Sequence, residues 1–318
     1  EDAEKNAHRV IERLKSPYRE NDFFLVGLSN YRKAQHLIFT ARAEDALACP
    51  ELPAGLRERL MRRLALYAHV MSDPDLNPRG AGVHLGNNNM TINRTLALGY
   101  FAGLLPQHPR FEYWMERLRA YVRFKLATQT APDGTWVACP AYQLYAPAQA
   151  MNITINILRN RGIVDLRPKG YHRGTLEYLA TLTMPDPRWD GNRIVPGMGN
   201  SGDLKPAIWG VSIATYLEGY REFARWLQFM FQQTGADIAR QGTGSAFVGH
   251  PAYYLPDVDP APKPFRTTFM PTYGVAFRAH AGDPNETAML FRAGMNWSHW
   301  DPDYLNVILY GKGAPLSP

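Results

Sequence analysis

Asn87, Asn88 and Asn89 stand in a row in HLGNNNMTINRT, between a glycine and a strongly helical run, with Asn93 and Arg94 one turn later. An amide side chain offers two donors and an acceptor without charge. An Asn just ahead of a helix is a good N-cap, and the run predicts a helix starting near Met90 or Thr91. Capping explains one amide but not three. Several amides beside a helix N-terminus, where backbone N–H groups and the dipole point the same way, suit an anion such as a sugar-acid carboxylate.

Three further stretches hold groups able to do chemistry. In DGTWVACPAYQLY, Asp133-Gly134 reads as a turn, followed by Trp136, Tyr142 and Tyr145. The two tyrosines are three apart and would share one face of a helix. They either pack into a wall of helices or bring a phenol to a cleft, with Trp136 stacking on a sugar ring. In SHWDPDYL, His299, Asp301 and Asp303 alternate along an extended approach to a strand and would point to one side. Such a set suits a divalent metal, or a His299–Asp301 pair that only fixes the loop. In PGMGNSGDLKPAIWG, Asn200, Ser201 and Asp203 offer hydrogen bonds among turn-forming glycines, as a sugar cleft would need.

The sequence lacks GxxxxGK[ST], HExxH and GxSxG, which argues against P-loop nucleotide chemistry, zincin proteolysis and the common hydrolase elbow. The net charge of +6 suits a polyanionic partner. The basic residues are scattered and form no Lys/Arg tract, so an acidic polysaccharide is favoured over nucleic acid. No apolar run is long enough for membrane insertion. Cys49 and Cys139 match no metal or CxxC spacing and read as two separate buried thiols, with a single disulfide as the alternative in an exported protein.

The elements that must position these groups change along the chain. With 45% hydrophobic and 20% charged residues among 318, the chain is long for one core, and one large domain followed by a second is expected. Apolar residues recur at helical spacing in Val10, Ile11 and Leu14, and in Leu60, Leu64, Tyr67 and Met71. The same spacing links Leu96, Tyr100, Phe101, Leu104 and Leu105, ended by Pro106. It returns in Trp114, Leu118, Tyr121, Val122 and Leu126, and in one long helix through Tyr216, Tyr220, Phe223, Leu227 and Met230. Long polar loops separate these helices, and loops of that length are usually functional. HPAYYLPDVDPAPKPF reads as a linker, and TYGVAFRAH, ETAMLFRAG and YLNVILYG alternate as three antiparallel strands, with GDPN as a turn. The layout is a helical domain over 1–250, a Pro-rich linker over 251–264 and the first strands of an antiparallel sheet domain over 265–318, expected to be truncated.

GNNNMTINRTLALGYFAGLLP, DGTWVACPAYQLY, and FMPTYGVAFRAH through HWDPDYLNVILYGKGAPL together resemble the heparinase II/III-like polysaccharide lyases, which include alginate and glycosaminoglycan lyases. The resemblance implies an incomplete (α/α) toroid followed by the start of an antiparallel β-sandwich. It implies β-elimination on an anionic, uronate-containing polysaccharide, in a periplasmic or secreted enzyme with no required cofactor. By the same likeness, Asn88 and Asn89 neutralise the carboxylate, Tyr142 is the acid/base with Tyr145 as substitute, and His84 stands in for the His that many members carry in the first loop. Asn87, Arg94, Trp136, Asn200, Trp209 and His250 are assigned to substrate binding. The family's His-x-His-x-Asp step is reduced here to His299 and Asp301, where a zinc or calcium ion would be structural. The rival readings are a glycoside hydrolase on a similar toroid, which needs a carboxylate pair, and a non-catalytic protein that binds anionic glycans.

Overall fold

The computed structural model describes residues 3–5, 7–8, 42–73, 88–136, 138–144, 151–163, 170–199, 202–204, 208–235, 257–294 and 305–316. The helices among them are α1 Arg42–Ala48, α2 Ala54–Ser72, α3 Asn88–Gly103, α4 Phe111–Gln129, α5 Pro140–Gln143, α6 Asn152–Asn160, α7 Tyr171–Leu182, α8 Ile208–Tyr216 and α9 Arg221–Gln233. The strands are β1 Met184–Pro185, β2 Arg193–Ile194, β3 Thr268–Met270, β4 Gly274–Ala279, β5 Thr287–Arg292, β6 Val307–Gly311 and β7 Ala314–Pro315. The described chain is thus mostly helical with a small antiparallel sheet. It forms two compact units: residues 1–124, 153–164 and 245–247, and residues 125–152, 165–244 and 248–318. Helices and strands therefore share the second unit.

In the first unit the helical spacings hold. Leu60, Leu64, Tyr67 and Met71 of α2 are all buried, and Tyr67 meets Phe101 of α3 edge-on at 5.8 Å. α3 starts at Asn88, two residues earlier than the pattern predicts. Gly99 lets it pass close to its neighbours: a Cβ there would stand 3.0 Å from Leu118 Cδ2 on α4 and 3.5 Å from Ile157 Cδ1 on α6. Arg161 donates to the Gly103 carbonyl at 2.6 Å and so caps the C-terminus of α3. The face expected at Val10, Ile11 and Leu14 lies outside the described residues.

In the second unit the expected single helix through Tyr216 and Met230 is two. α8 stops at Tyr216, the chain turns at Gly219 with φ +80°, and α9 starts at Arg221. The left-handed φ costs glycine little, so the chain can break there. Tyr216 and Phe223 still meet across the break at 4.7 Å, so the apolar stripe survives although the helix does not. The stretch 183–207, read as loop, contains the β1–β2 hairpin, with Met184 opposite Ile194. Asp186 accepts from the Arg188 N–H at 2.9 Å and caps the 3₁₀ turn Pro187–Trp189 inside that hairpin.

The sheet has five strands in the order β3-β4-β5-β6-β7, all antiparallel, not the three expected. The three expected strands are β4, β5 and β6. β3 and β7 are three and two residues long, too short for a period-2 pattern to register. Ala276, Ala288, Leu290 and Tyr310 form the buried face, while Phe269, Phe277, Val307 and Leu309 are exposed on the other. Residues 257–264 carry no regular structure, as a linker would. Cys49 and Cys139 are both free thiols, but Cys49 is half-buried, not buried as expected. No helix among the described residues is long and apolar enough to cross a membrane.

A buried charge cluster joins the hairpin to the sheet. Glu286, fully buried, accepts from Arg193 at 3.0 Å and from Arg278. Arg193 also donates to the Thr183 carbonyl at 2.7 Å, and Arg278 to the carbonyls of Thr181 and Thr183. Burial lowers both guanidinium pKa values from their ordinary range, and for Arg278 the neighbouring Arg193 adds to the lowering. Phe265 covers the pair, 3.8 Å from Arg193 Cζ and 5.6 Å from Arg278 Cζ. Glu286→Gln would leave two buried cations facing each other without a counter-charge. The expected loss is about 3–5 kcal/mol of stability, read as a lower urea midpoint; an unchanged midpoint would show that the cluster carries no such weight.

Candidate functional site

The described part of the site is built around α5. This four-residue helix follows the extended Cys139 and has Pro140 at its first position. Pro140, Ala141 and Gln143 are buried, and Tyr142 is the half-buried residue of the helix. Tyr142 is therefore the residue of α5 that is not fully buried.

Gln143 ties α5 down. Its Oε1 accepts from the Trp136 N–H at 3.3 Å, and its Nε2 donates to the carbonyls of Gly134 at 3.4 Å and Thr175 at 3.2 Å. One buried amide thus holds the short helix to the Asp133-Gly134 turn and to α7. The turn is itself anchored. Asp133 Oδ1 accepts from the Thr135 N–H at 3.0 Å, and Oδ2 from the Thr272 N–H at 2.8 Å, between β3 and β4. Gly134 has φ +85°, and a Cβ there would lie 2.0 Å from the Gly174 carbonyl oxygen, so only glycine fits.

A second buried chain of polar groups follows α5. Asn152 Nδ2 donates to Ser212 Oγ at 2.7 Å, and Ser212 Oγ donates to the Ile208 carbonyl at 2.8 Å. The Asn152 Oδ1 is left to accept, so His172 Nε2, in hydrogen-bond contact with it, carries the hydrogen. The His172 ring stacks on Tyr216, with 5.9 Å between centroids and 9° between planes. Burial pushes the His172 pKa down to about 3, so the imidazole is neutral at ordinary pH.

The expected site residues divide as follows. Asn88 and Asn89 occupy the first turn of α3, where backbone N–H groups lack helical partners, and Arg94 lies further along the same helix. Tyr142 is on α5. Trp136 is 1% exposed and Trp209, on α8, is 0% exposed. Rings so enclosed pack against protein and offer no face to a sugar, which corrects the stacking role expected of Trp136. His84, Asn87, Tyr145, Asn200, His250, His299, Asp301 and Asp303 lie outside the described residues. Asp203 accepts from the Gly197 N–H at 2.8 Å and pairs with Arg188 at 2.9 Å. Gly197, Gly199 and Gly202 have the GxGxxG spacing of a dinucleotide-binding turn. Val195 and Leu204, on either side of these glycines, pair in an isolated antiparallel bridge, whereas the motif calls for a strand running into a helix. Among the described residues no group of three or more His, Cys, Asp or Glu could hold a metal ion.

No family model matches the chain, and no curated protein matches it. Solved structures do. The Heparinase III-BT4657 gene product matches with a TM-score of 0.62 and 16% identity, over 96% of this chain and 44% of that one. A structure of Heparinase III matches with a TM-score of 0.61 and 15% identity, over 98% and 49%. The heparan sulfate lyase HepC from Pedobacter heparinus matches with a TM-score of 0.58 and 15% identity, over 92% and 40%. The fold is heparinase-like. The chain spans less than half the length of these structures.

Within this heparinase-like chain, Gln143, Asn152 and His172 are the residues that reading the sequence missed. Each is a single polar side chain at a position whose burial no local pattern reveals. His172 has a consequence in solution. Its folded pKa is depressed from 6.5 to about 3, so its contribution to stability is present above pH 6.5 and is lost as pH falls toward 3. The loss amounts to ~1.4 kcal/mol per pH unit. The difference in urea stability between the native chain and His172→Gln should therefore shrink or reverse as pH falls from 7 to 5. A difference that does not depend on pH would overturn this assignment.

Proposed function

We propose that the chain carries the catalytic groups of a polysaccharide lyase that cleaves a uronate-containing glycosaminoglycan by β-elimination. The observation that carries this reading is the heparinase-like fold together with Tyr142, the half-buried phenol on a helix pinned by Gln143. The similar structures are named heparinase III and heparan sulfate lyase, and both names denote action on a sulfated uronate polymer. The excess of positive charge agrees with such a substrate. A polymeric glycan is met outside the cytoplasm, so the enzyme is assigned to the periplasm or the exterior.

The chemistry asks for two things. The hydrogen on C5 of a uronic acid is weakly acidic because the negative carboxylate resists further charge. Donors on that carboxylate stabilise the enolate-like state as charge moves onto it. In the proposed mechanism Asn88 and Asn89 are those donors, helped by the free N–H groups of the first turn of α3. Tyr142, as phenolate, takes the C5 proton. The electron pair forms the C4–C5 double bond, the C4–O4 bond breaks, and the departing O4 takes a proton back from Tyr142. The products are an unsaturated uronate and a new hydroxyl end, with no water consumed and no cofactor.

The test is the ultraviolet absorbance of unsaturated uronate on a panel of heparan-type, chondroitin-type and alginate polymers. Absorbance should rise on at least one. Tyr142→Phe should lower kcat by about 10²- to 10⁴-fold, and Asn88→Ala or Asn89→Ala by about 10²-fold. New reducing ends without the absorbance would replace the lyase by a hydrolase. Binding without cleavage would make the protein a glycan-binding module.

Gln143→Ala tests the support of the phenol separately. It should lower kcat more than it changes KM, because it moves Tyr142 without removing a substrate contact. An equal effect on a mutant already carrying Tyr142→Phe would show that Gln143 acts only through stability.

A further inference from the structure

The Pro-rich stretch 257–264 of the second unit is held along most of its length. Every second residue from Pro260 to Pro264 is a proline. Each ring fixes φ and removes an N–H, so the stretch is stiff and has few backbone donors. Ala261 has one, and it donates to the Arg225 carbonyl on α9 at 3.1 Å. The Arg225 side chain reaches the same segment, and its Nε donates to the Asp259 carbonyl at 3.2 Å. One residue of α9 thus grips the stretch with both its main chain and its guanidinium. Val258, just before this grip, is buried.

Further along, Lys263 and Phe265 are held as well. Lys263 Nζ pairs with Glu177 of α7 at 2.8 Å and lies 5.2 Å from the Trp226 ring centre on α9. Trp226 is buried against Phe223 and Trp209, with ring centres 5.3 and 6.3 Å away, so the ring that faces the ammonium is backed by two others. Glu177 is braced in turn by Arg173 at 3.2 Å. Phe265 lies over the Arg193–Glu286–Arg278 cluster, close to both guanidinium groups. The Lys263 and Glu177 side chains are 47% and 34% exposed, so salt and water reach that pair, whereas the charges beside Phe265 are buried.

We propose that residues 259–265 are a strap and not a hinge. They tie the sheet to α7 and α9, and the Lys263 ammonium, seated between Glu177 and Trp226, is the latch. A flexible linker would let the sheet turn away from the helices, but here β3 begins at Thr268, three residues beyond the held segment. Opening of the strap lifts Phe265 from the guanidinium pair, so the strap also guards the charge cluster that joins the hairpin to the sheet. The device belongs to the second unit alone and is independent of the elimination proposed above.

The test is hydrogen–deuterium exchange of the full chain, read by mass spectrometry on peptides covering 257–264. The prolines leave few amides there, and Ala261 supplies one of them. A synthetic peptide of the same sequence gives the unprotected rate. In the native chain exchange should be slower than in that peptide by about tenfold or more. Lys263→Ala should speed it by about 3- to 10-fold. Sodium chloride at about 1 M should act in the same direction on the native chain and add nothing to the variant. Arg225→Ala, which removes the grip on Asp259, should also speed exchange, with the far-ultraviolet circular dichroism of both variants unchanged. Exchange at the free-peptide rate in the native chain, or a rate that Lys263→Ala leaves unchanged, overturns the proposal.

Discussion

The arrangement of the second unit depends on Glu286 lying between Arg193 and Arg278. Taking three charges out of water is costly, and their mutual attraction offsets that cost only when the geometry is good and the remaining donors are used. Most of them are used: Arg193 and Arg278 spend other N–H groups on the carbonyls of Thr181 and Thr183, at the end of α7. The cluster therefore fixes three elements at once, the C-terminus of α7, the β1–β2 hairpin and the β4–β5 corner of the sheet. The Arg278 Nε is the donor that this network leaves over among the described residues.

A second constraint works through backbone. Asp133 accepts from the main chain on both sides of the sheet–helix contact, Gly134 fits against Gly174 only because it has no Cβ, and Gln143 closes the triangle to α7. None of these groups is placed to react. Their effect is to give a four-residue helix, far too short to be stable alone, a fixed position. In the proposed elimination, a phenol that takes a proton from C5 and gives one to O4 needs that fixity. The neutral His172 network serves in the same way: it satisfies buried polar groups without adding charge near the phenol's helix.

The sequence pattern was most informative where one periodicity ran uninterrupted. The stripe of α2 is buried as its spacing predicts, and the alternation of β4, β5 and β6 gives their strands directly. It failed where a tertiary contact overrides local pattern. A four-residue turn at Gly219 divides an unbroken apolar stripe, because both helices bury the same side into one core. Strands as short as β1, β2, β3 and β7 exist through their partners and have no period of their own. The aromatic type of Trp136 suits stacking on a sugar and that of Trp209 suits substrate binding, but both rings are buried, which type alone does not reveal.

Residue type and order alone supplied the expected chemistry: neutral amides at the head of a helix, a phenol after an Asp-Gly turn, and an excess of positive charge for an acidic polymer. They also carried the likeness to heparinases, which the fold bears out at an identity of only 14–16%. Tertiary structure alone decided which polar groups are buried and what they hold. Gln143, Glu286 and Asp133 are single residues whose partners Thr175, Arg193 and Thr272 lie 32, 93 and 139 positions away. A hydrogen bond is set by distance in space, and no local run of sequence encodes that distance.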